Sequence, residues 1–189
     1  NGIIVALCSV GILNAHAENV AIAKSSLVGD GIVEFVPQGF DQTKTPSLIL
    51  KEEPTAKGSV PSDWELYPQF TVVDGKANAS LSLTGEISLY GGGEVTGPLL
   101  RNGQYIKLWN TDTGAYGVDG GKRLYQSHPW VLGVRRDGSA FGILFDSSWK
   151  SELHTNSDKI EFNTEGALFR IYIIDRESPK DVLKGLAEL

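Results

Sequence analysis

The sequence predicts a large antiparallel β-sandwich that ends in a helix, and three observations carry that prediction. Asp-Gly pairs recur at 30–31, 74–75, 119–120 and 137–138, and both residues of such a pair tolerate the left-handed angles of tight turns. Between the turns lie short runs rich in β-branched and aromatic residues, which favour a pleated, half-buried surface. Helical periodicity appears only near the C-terminal end.

In chain order, strands are expected from Val20 onward and at 31–36, 47–51, 70–73, 79–83 and 105–109. Further strands are expected at 130–135, 141–146, 159–162 and 168–174. The stretch ASLSLTG alternates strictly between apolar and polar residues, the pattern of a strand with one wet face. In WVLGVRRDGSAFGILFD two arms flank the turn Arg136-Asp137-Gly138-Ser139. Both arms are apolar at nearly every position, so this pair belongs in the middle of a sheet, buried on both faces. The run SLYGGGEVTGPLLRNGQYIKLWNTD reads as a hairpin whose first arm breaks into three glycines and a buried-looking Glu94. Residues 51–61, rich in proline and charge, read as a surface loop.

The closing stretch ESPKDVLKGLAEL has helix-start chemistry. Ser178 can cap, Pro179 suits the first helical position and Asp181 completes a capping-box-like pattern. Val182, Leu183, Leu186 and Leu189 are expected on one face, and no stop signal precedes Leu189.

A chain of 189 residues with net charge −6 suits one domain of ordinary size. A chain of this length can remove roughly 70% of its unfolded surface from water, so a full core is available. The acidic balance excludes a nucleic-acid binder, which carries a clustered basic face. The pair Arg135-Arg136 is followed at once by Asp137 and reads as a solvated turn. Residues 2–13 form an uncharged apolar run, too short for a membrane-spanning helix, and Asn14-Ala15-His16-Ala17 follows as a small-x-small cleavage pattern. Residues 1–17 are therefore expected to be a signal peptide, 18–175 the sandwich, and 176–189 the start of a helix leading onward. Export to the periplasm or the cell exterior follows, with no membrane association once the signal is removed. The single cysteine, Cys8, lies in the expected signal, which leaves the mature protein neither disulfide nor thiol chemistry.

Several site motifs fail on inspection. The triple glycine is not followed by Gly-Lys-Ser/Thr, and a dinucleotide pattern starting at Gly91 needs a glycine where Thr96 stands. NTDTGAYGVDGG departs from a calcium loop at Ala115 and Gly121. His16, His128 and His154 are not paired at metal-ligand spacing, and no nucleophile elbow is present, so no cofactor or metal is implied. The sequon Asn78-Ala79-Ser80 falls inside the alternating strand and is treated as chance. Asp112, Glu94, Trp109 and Tyr116 remain. Carboxylates that accept hydrogen bonds from hydroxyls and aromatic faces that stack on C–H surfaces are the equipment of a sugar site.

The order of the pieces adds a resemblance. YGGGEVTGPL, LWNTDTGAYG and LYQSHPWVLGVRRDGSAFGILFDSSWKSEL together resemble the N-terminal β-sandwich of glycoside hydrolase family 31. The matching segments are 91–98, 109–112, 125–130, 142–147 and Ser151-Glu152. SPKDVLKGLAEL looks like the helix that hands the chain to that family's catalytic barrel. The resemblance implies the large supersandwich similar to galactose mutarotase, within an exported bacterial retaining α-glycosidase, most often an α-glucosidase, with α-xylosidases and α-galactosidases also known. Its implied partners are an α-linked oligosaccharide and the barrel of the same polypeptide. The two catalytic carboxylates of a retaining mechanism, about 5 to 5.5 Å apart, belong to that barrel, so the 189 residues alone are expected to be inactive.

By the same resemblance, loop 110–116 helps complete the substrate pocket, with Asp112 as the hydroxyl acceptor in the leaving-group subsite and Thr111 and Thr113 as weaker contacts. Thr113-Gly114-Ala115 replaces the usual large residue of that loop and leaves the linkage preference undefined. Gly91 to Gly93 become a bend or bulge where backbone passes closely. Glu94 is expected to satisfy buried backbone or Arg101, and Trp109 to pack beneath the loop. A stand-alone carbohydrate-binding module is the competing reading. An aldose mutarotase needs a paired His and Glu, and His128, ahead of Pro129, is poorly placed for it.

Overall fold

The computed structural model describes residues 17–49, 52–112 and 120–189. The expected signal therefore lies outside the described residues except for Ala17. The first strands are β1 (Ala17–Val20), β2 (Ile22–Gly29), β3 (Ile32–Pro37), β4 (Gln69–Val73), β5 (Lys76–Ser82) and β6 (Ile87–Gly93). There follow β7 (Gln104–Leu108), β8 (Ser127–Arg135), β9 (Ala140–Asp146), β10 (Ser151–Thr155), β11 (Lys159–Thr164), β12 (Arg170–Arg176) and helix α1 (Pro179–Glu188). One sheet runs β1-β4-β5-β11-β10-β7 and the other β2-β3-β12-β9-β8-β6. Every strand pair is antiparallel, and the expected sandwich is present.

The two sheets meet through side chains that alternate inward. Phe35, Ile143, Phe145, Ile171 and Ile173 from the second sheet share one cluster with Ala79, Leu81, Ile106, Leu153 and Phe162 from the first. Phe145 of β9 stacks on Phe162 of β11 with centroids 4.5 Å apart and rings 2° from parallel. Each fully buried phenylalanine of this kind contributes about 1.5–3 kcal/mol of transfer free energy.

The hairpin of β8 and β9 lies inside the second sheet, but only β9 is buried at all seven positions; of β8, expected to be buried on both faces, only Val131 and Gly133 are buried. Its odd residues Phe141, Ile143 and Phe145 face the inter-sheet core. Its even residues Ala140 and Leu144 face a second cluster completed by Val182 and Leu189 of the C-terminal helical segment. Helix α1 thus covers the outer face of the second sheet, and Ser178 Oγ caps it by accepting from the Asp181 N–H at 3.2 Å. The expected apolar face needs one correction. Leu183 is half exposed, and Gly185 is buried instead, close against Ile174.

Three other expectations change. The runs at 88–93 and 105–109 are not two arms of one hairpin: β6 pairs with β8 in one sheet, and β7 pairs with β10 in the other. Within the expected strand 47–51 the described residues 47–49 form no strand. There Ser47 Oγ and the Leu48 N–H donate to Asp146, at 2.8 and 2.6 Å, and so fasten the loop to the end of β9. Strands β1 and β10 were not expected, because Glu18, Asn19, Glu152 and His154 dilute their β signal.

A buried charge cluster holds this loop down. The outward positions of three adjacent strands carry Glu34, Arg170, Tyr172 and Asp146, all buried. Arg170 lies 3.5 Å from Glu34, 3.3 Å from Asp146 and 3.1 Å from Glu53. Tyr172 donates its phenol to Glu34 at 3.0 Å, and burial pushes that phenol well above its ordinary range, so it stays a donor.

Candidate carbohydrate site at the sheet crossing

The candidate residues gather where the chain crosses twice between the sheets, at the adjoining edges β6 and β7. Leaving β6 requires a sharp change of direction, and the glycines supply it. The register between β6 and β8 shifts between Gly91 and Gly93. Gly91 has φ +120 and Gly93 φ +89, in a region that side-chain-bearing residues rarely adopt. A Cβ on Gly91 would lie 2.3 Å from the Trp130 carbonyl oxygen, and one on Gly93 would lie 2.4 Å from that of Gln126. The bend also lets backbone run close beside β8, which is the reason for so many glycines in one strand.

Arg101 braces this bend. It is buried, and its guanidinium donates to the carbonyl oxygens of Gly91 at 3.2 Å and Pro98 at 2.7 Å. Burial lowers its pKa from the ordinary arginine value. Asn102 covers the open edge of β6, accepting from the Leu89 N–H at 2.9 Å and donating to the Ile87 carbonyl at 2.8 Å. Glu94 does not pair with Arg101. It is exposed and accepts from the Tyr125 N–H at 3.2 Å, while its own N–H donates to Gln126 at 2.8 Å. It does satisfy backbone, though at the surface rather than in the interior.

The second crossing leaves β7 at Leu108 and enters β8 at Ser127. Its two ends are tied to each other and to the bend. The Thr111 N–H donates to the Leu124 carbonyl at 2.9 Å, and the Thr96 N–H donates to Gly121 at 3.0 Å. Asp112 is exposed, and one carboxylate oxygen accepts the Tyr125 phenol at 3.0 Å. A carboxylate retains acceptor capacity beyond one such bond. Thr111 is partly buried, and its hydroxyl donates to the Trp109 carbonyl at 3.2 Å. Thr113 and Tyr116 lie outside the described residues, as does the rest of 113–119.

Sequence reasoning missed Tyr125 as the partner of Asp112, since only the fold brings residues thirteen apart to one point. It also took Trp109 for a packed residue, whereas Trp109 is 50% exposed. Trp109 forms a wall shared by two clefts. One, of about 340 Å³, is lined by Leu48, Trp109, Asn110, Pro129 and Trp149. The other, of about 540 Å³, opens on the outer face of the first sheet. Thr111 and Asp112 line neither cleft; they stand beside them on the crossing loop. Among the described residues no three or more His, Cys, Asp or Glu side chains cluster as metal ligands. The arrangement offers a carboxylate, a phenol and exposed indoles, which suits a neutral polyhydroxylated ligand.

Comparison with known proteins agrees with this architecture. Residues 26–153 match the family described as glycosyl hydrolase 31 N-terminal galactose mutarotase-like domain. The chain is 33% identical over 183 residues to "Alpha-glucosidase 2" of Bacillus thermoamyloliquefaciens, covering 90% of this chain and 23% of that protein. It is 29% identical to "Alpha-xylosidase XylQ" of Lactiplantibacillus pentosus over 71% of this chain and 18% of that one. Among solved structures, the family 31 alpha-glucosidase from Bacteroides thetaiotaomicron is 68% identical over 61% of this chain and 20% of its own, with a TM-score of 0.56. A dextranase from Flavobacterium johnsoniae, 19% identical, shares the fold over 93% of this chain and 27% of its own with a TM-score of 0.68. The chain therefore spans no more than 27% of any of these relatives. It belongs to the N-terminal galactose mutarotase-like domain family of glycosyl hydrolase 31 enzymes.

Proposed function

We propose that this chain is the accessory sandwich of a retaining α-glycosidase, an α-glucosidase before an α-xylosidase or α-galactosidase. Loop 110–116 helps complete the substrate pocket, and the two catalytic carboxylates lie in a barrel carried by the same polypeptide. Asp112 accepts sugar hydroxyls on the leaving-group side, Tyr125 fixes the orientation of its carboxylate, and Thr111 and Thr113 flank it. The enzyme acts on terminal α-linked sugars of oligosaccharides and is exported after loss of residues 1–17.

The observation that carries this reading is the exposed Asp112 carboxylate, which accepts the Tyr125 phenol on a braced crossing. The 68% identity to the Bacteroides thetaiotaomicron alpha-glucosidase supports the choice of sugar. The test is hydrolysis of aryl α-glucoside, α-xyloside and α-galactoside by the barrel-bearing protein and by the 189 residues alone. Cleavage of the glucoside by the longer protein and of none by the shorter is expected. A longer protein that cleaves nothing, beside a shorter one that binds glucan, would replace this reading with a stand-alone carbohydrate-binding module. N-terminal sequencing of the exported protein is expected to begin at Glu18.

A further inference from the structure

The larger cleft of the two runs from the crossing onto the solvent face of the first sheet, and Asp112 is not among its lining residues. Strand register places Lys107, Glu152, Asn163 and Asn78 directly opposite one another across β7, β10, β11 and β5. All four are half-buried, while their neighbours Ile106, Leu108, Leu153, Phe162, Ala77 and Ala79 are buried, so the four form one outward row. Three strand spacings make this row about 14 Å long, the reach of a short oligosaccharide. Trp109 stands at its β7 end with half its surface exposed.

A wet face on an antiparallel sheet is polar as a matter of course. Three features go beyond that. The row lines an open concavity of about 540 Å³, bordered at one end by the β4–β5 turn and at the other by the crossing. Glu152 is fixed in place by the Tyr105 phenol, whose pKa is raised by burial and by Glu152 itself, so it stays a donor. The Asn163 side-chain amide makes no hydrogen bond to a described residue, although it is partly shielded from water. Two amides that both donate and accept lie beside the oriented Glu152 acceptor and charged groups of both signs, Lys76, Lys107, Arg123 and Lys150 with Asp74 and Glu165, and the exposed indole stands at one end. Sugar hydroxyls, which donate and accept at once, match this set.

We propose that this cleft is a second carbohydrate site, which holds an α-linked oligosaccharide across the strands against Trp109. The choice of an α-linked sugar rests on the proposed function; the existence of the site does not. The experiment is a tryptophan-fluorescence titration with thio-linked α-glucan oligosaccharides, which glycosidases do not cleave, so its outcome is independent of hydrolysis. Saturable binding is expected, weakened roughly tenfold in Asn78→Ala/Asn163→Ala, the scale of two lost hydrogen bonds. Binding is expected to persist in Asp112→Ala. If the double variant does not fold, Asn163→Ser and Lys107→Met, made separately, repeat the test at two positions of the same row. Absence of saturable binding overturns the proposal. So does binding unchanged in the Asn variants but lost in Asp112→Ala, or binding confined to acidic oligosaccharides.

Discussion

Replacing Arg170 by Met should unfold this protein more readily than any surface change, because of what the guanidinium leaves behind. The Glu34 and Asp146 side chains are 5% and 1% exposed, and Arg170 lies 3.5 and 3.3 Å from them. Burial disfavours the charged guanidinium, but the carboxylates of Asp146, Glu53 and Glu34 outweigh that effect and hold its pKa above the ordinary value. In Arg170→Met, Glu34 keeps Tyr172 and the largely exposed Lys24, and Asp146 keeps Ser47 and the Leu48 N–H. Removing one partner from a buried ion cluster costs about 3–5 kcal/mol. In a domain of this size that lowers the thermal midpoint by roughly 6–20 °C. Urea unfolding followed by tryptophan fluorescence and circular dichroism measures it, with the midpoint moved and the slope unchanged. The triple variant Arg170→Met, Glu34→Gln, Asp146→Asn separates charge from packing, since removing the charges together should recover most of the loss. A loss below about 1 kcal/mol in the single variant would refute the reasoning. A triple variant no more stable than the single would do the same.

Gly93→Ala forces a side chain into a left-handed conformation 2.4 Å from a carbonyl oxygen; destabilisation of at least about 1–3 kcal/mol is expected in the same urea assay. Asp41, Asp137, Glu165 and Asp181 are held below their ordinary pKa values, chiefly by hydrogen bonds from Thr43, Ser139, Lys150 and Lys184 respectively. Depressed carboxylates stabilise the folded state above the unfolded pKa and lose that contribution as pH falls through the folded one. The unfolding midpoint should therefore hold at neutral pH and drop below about pH 4. Tyr125→Phe leaves Asp112 without its phenol donor; KM for disaccharides should rise several-fold in the barrel-bearing enzyme, the scale of about 1 kcal/mol, with the thermal midpoint unchanged.

The fold was legible where its signal was local. Strict alternation in β5, continuous apolarity in β9 and the Ser178 cap each follow from a few adjacent residues, and each appears as expected. The sequence misled where partners are distant. Strands that follow one another in sequence commonly pair, but here β6 and β7, joined through residues 94–103, part into different sheets, and the positive-φ glycines mark the departure. The run at 47–49 has strand composition yet serves Asp146 as hydrogen-bond donors from 98 and 99 residues away. Arg170 and Glu34 are 136 residues apart, so no window of sequence could pair them. At the site, Asp112 was identified by resemblance, while Tyr125 and the exposure of Trp109 became visible only once the crossing was in place.

The central claim is that Asp112 touches the sugar on the leaving-group side, and one comparison tests it directly. In the barrel-bearing enzyme, kcat/KM of Asp112→Ala is measured on maltose and on α-glucosyl fluoride, whose leaving group carries no hydroxyls. The account predicts a loss of about 1–3 kcal/mol, the range of a hydrogen bond to a charged group, on maltose and almost none on the fluoride. Equal losses on both substrates, or no loss on either, would contradict it.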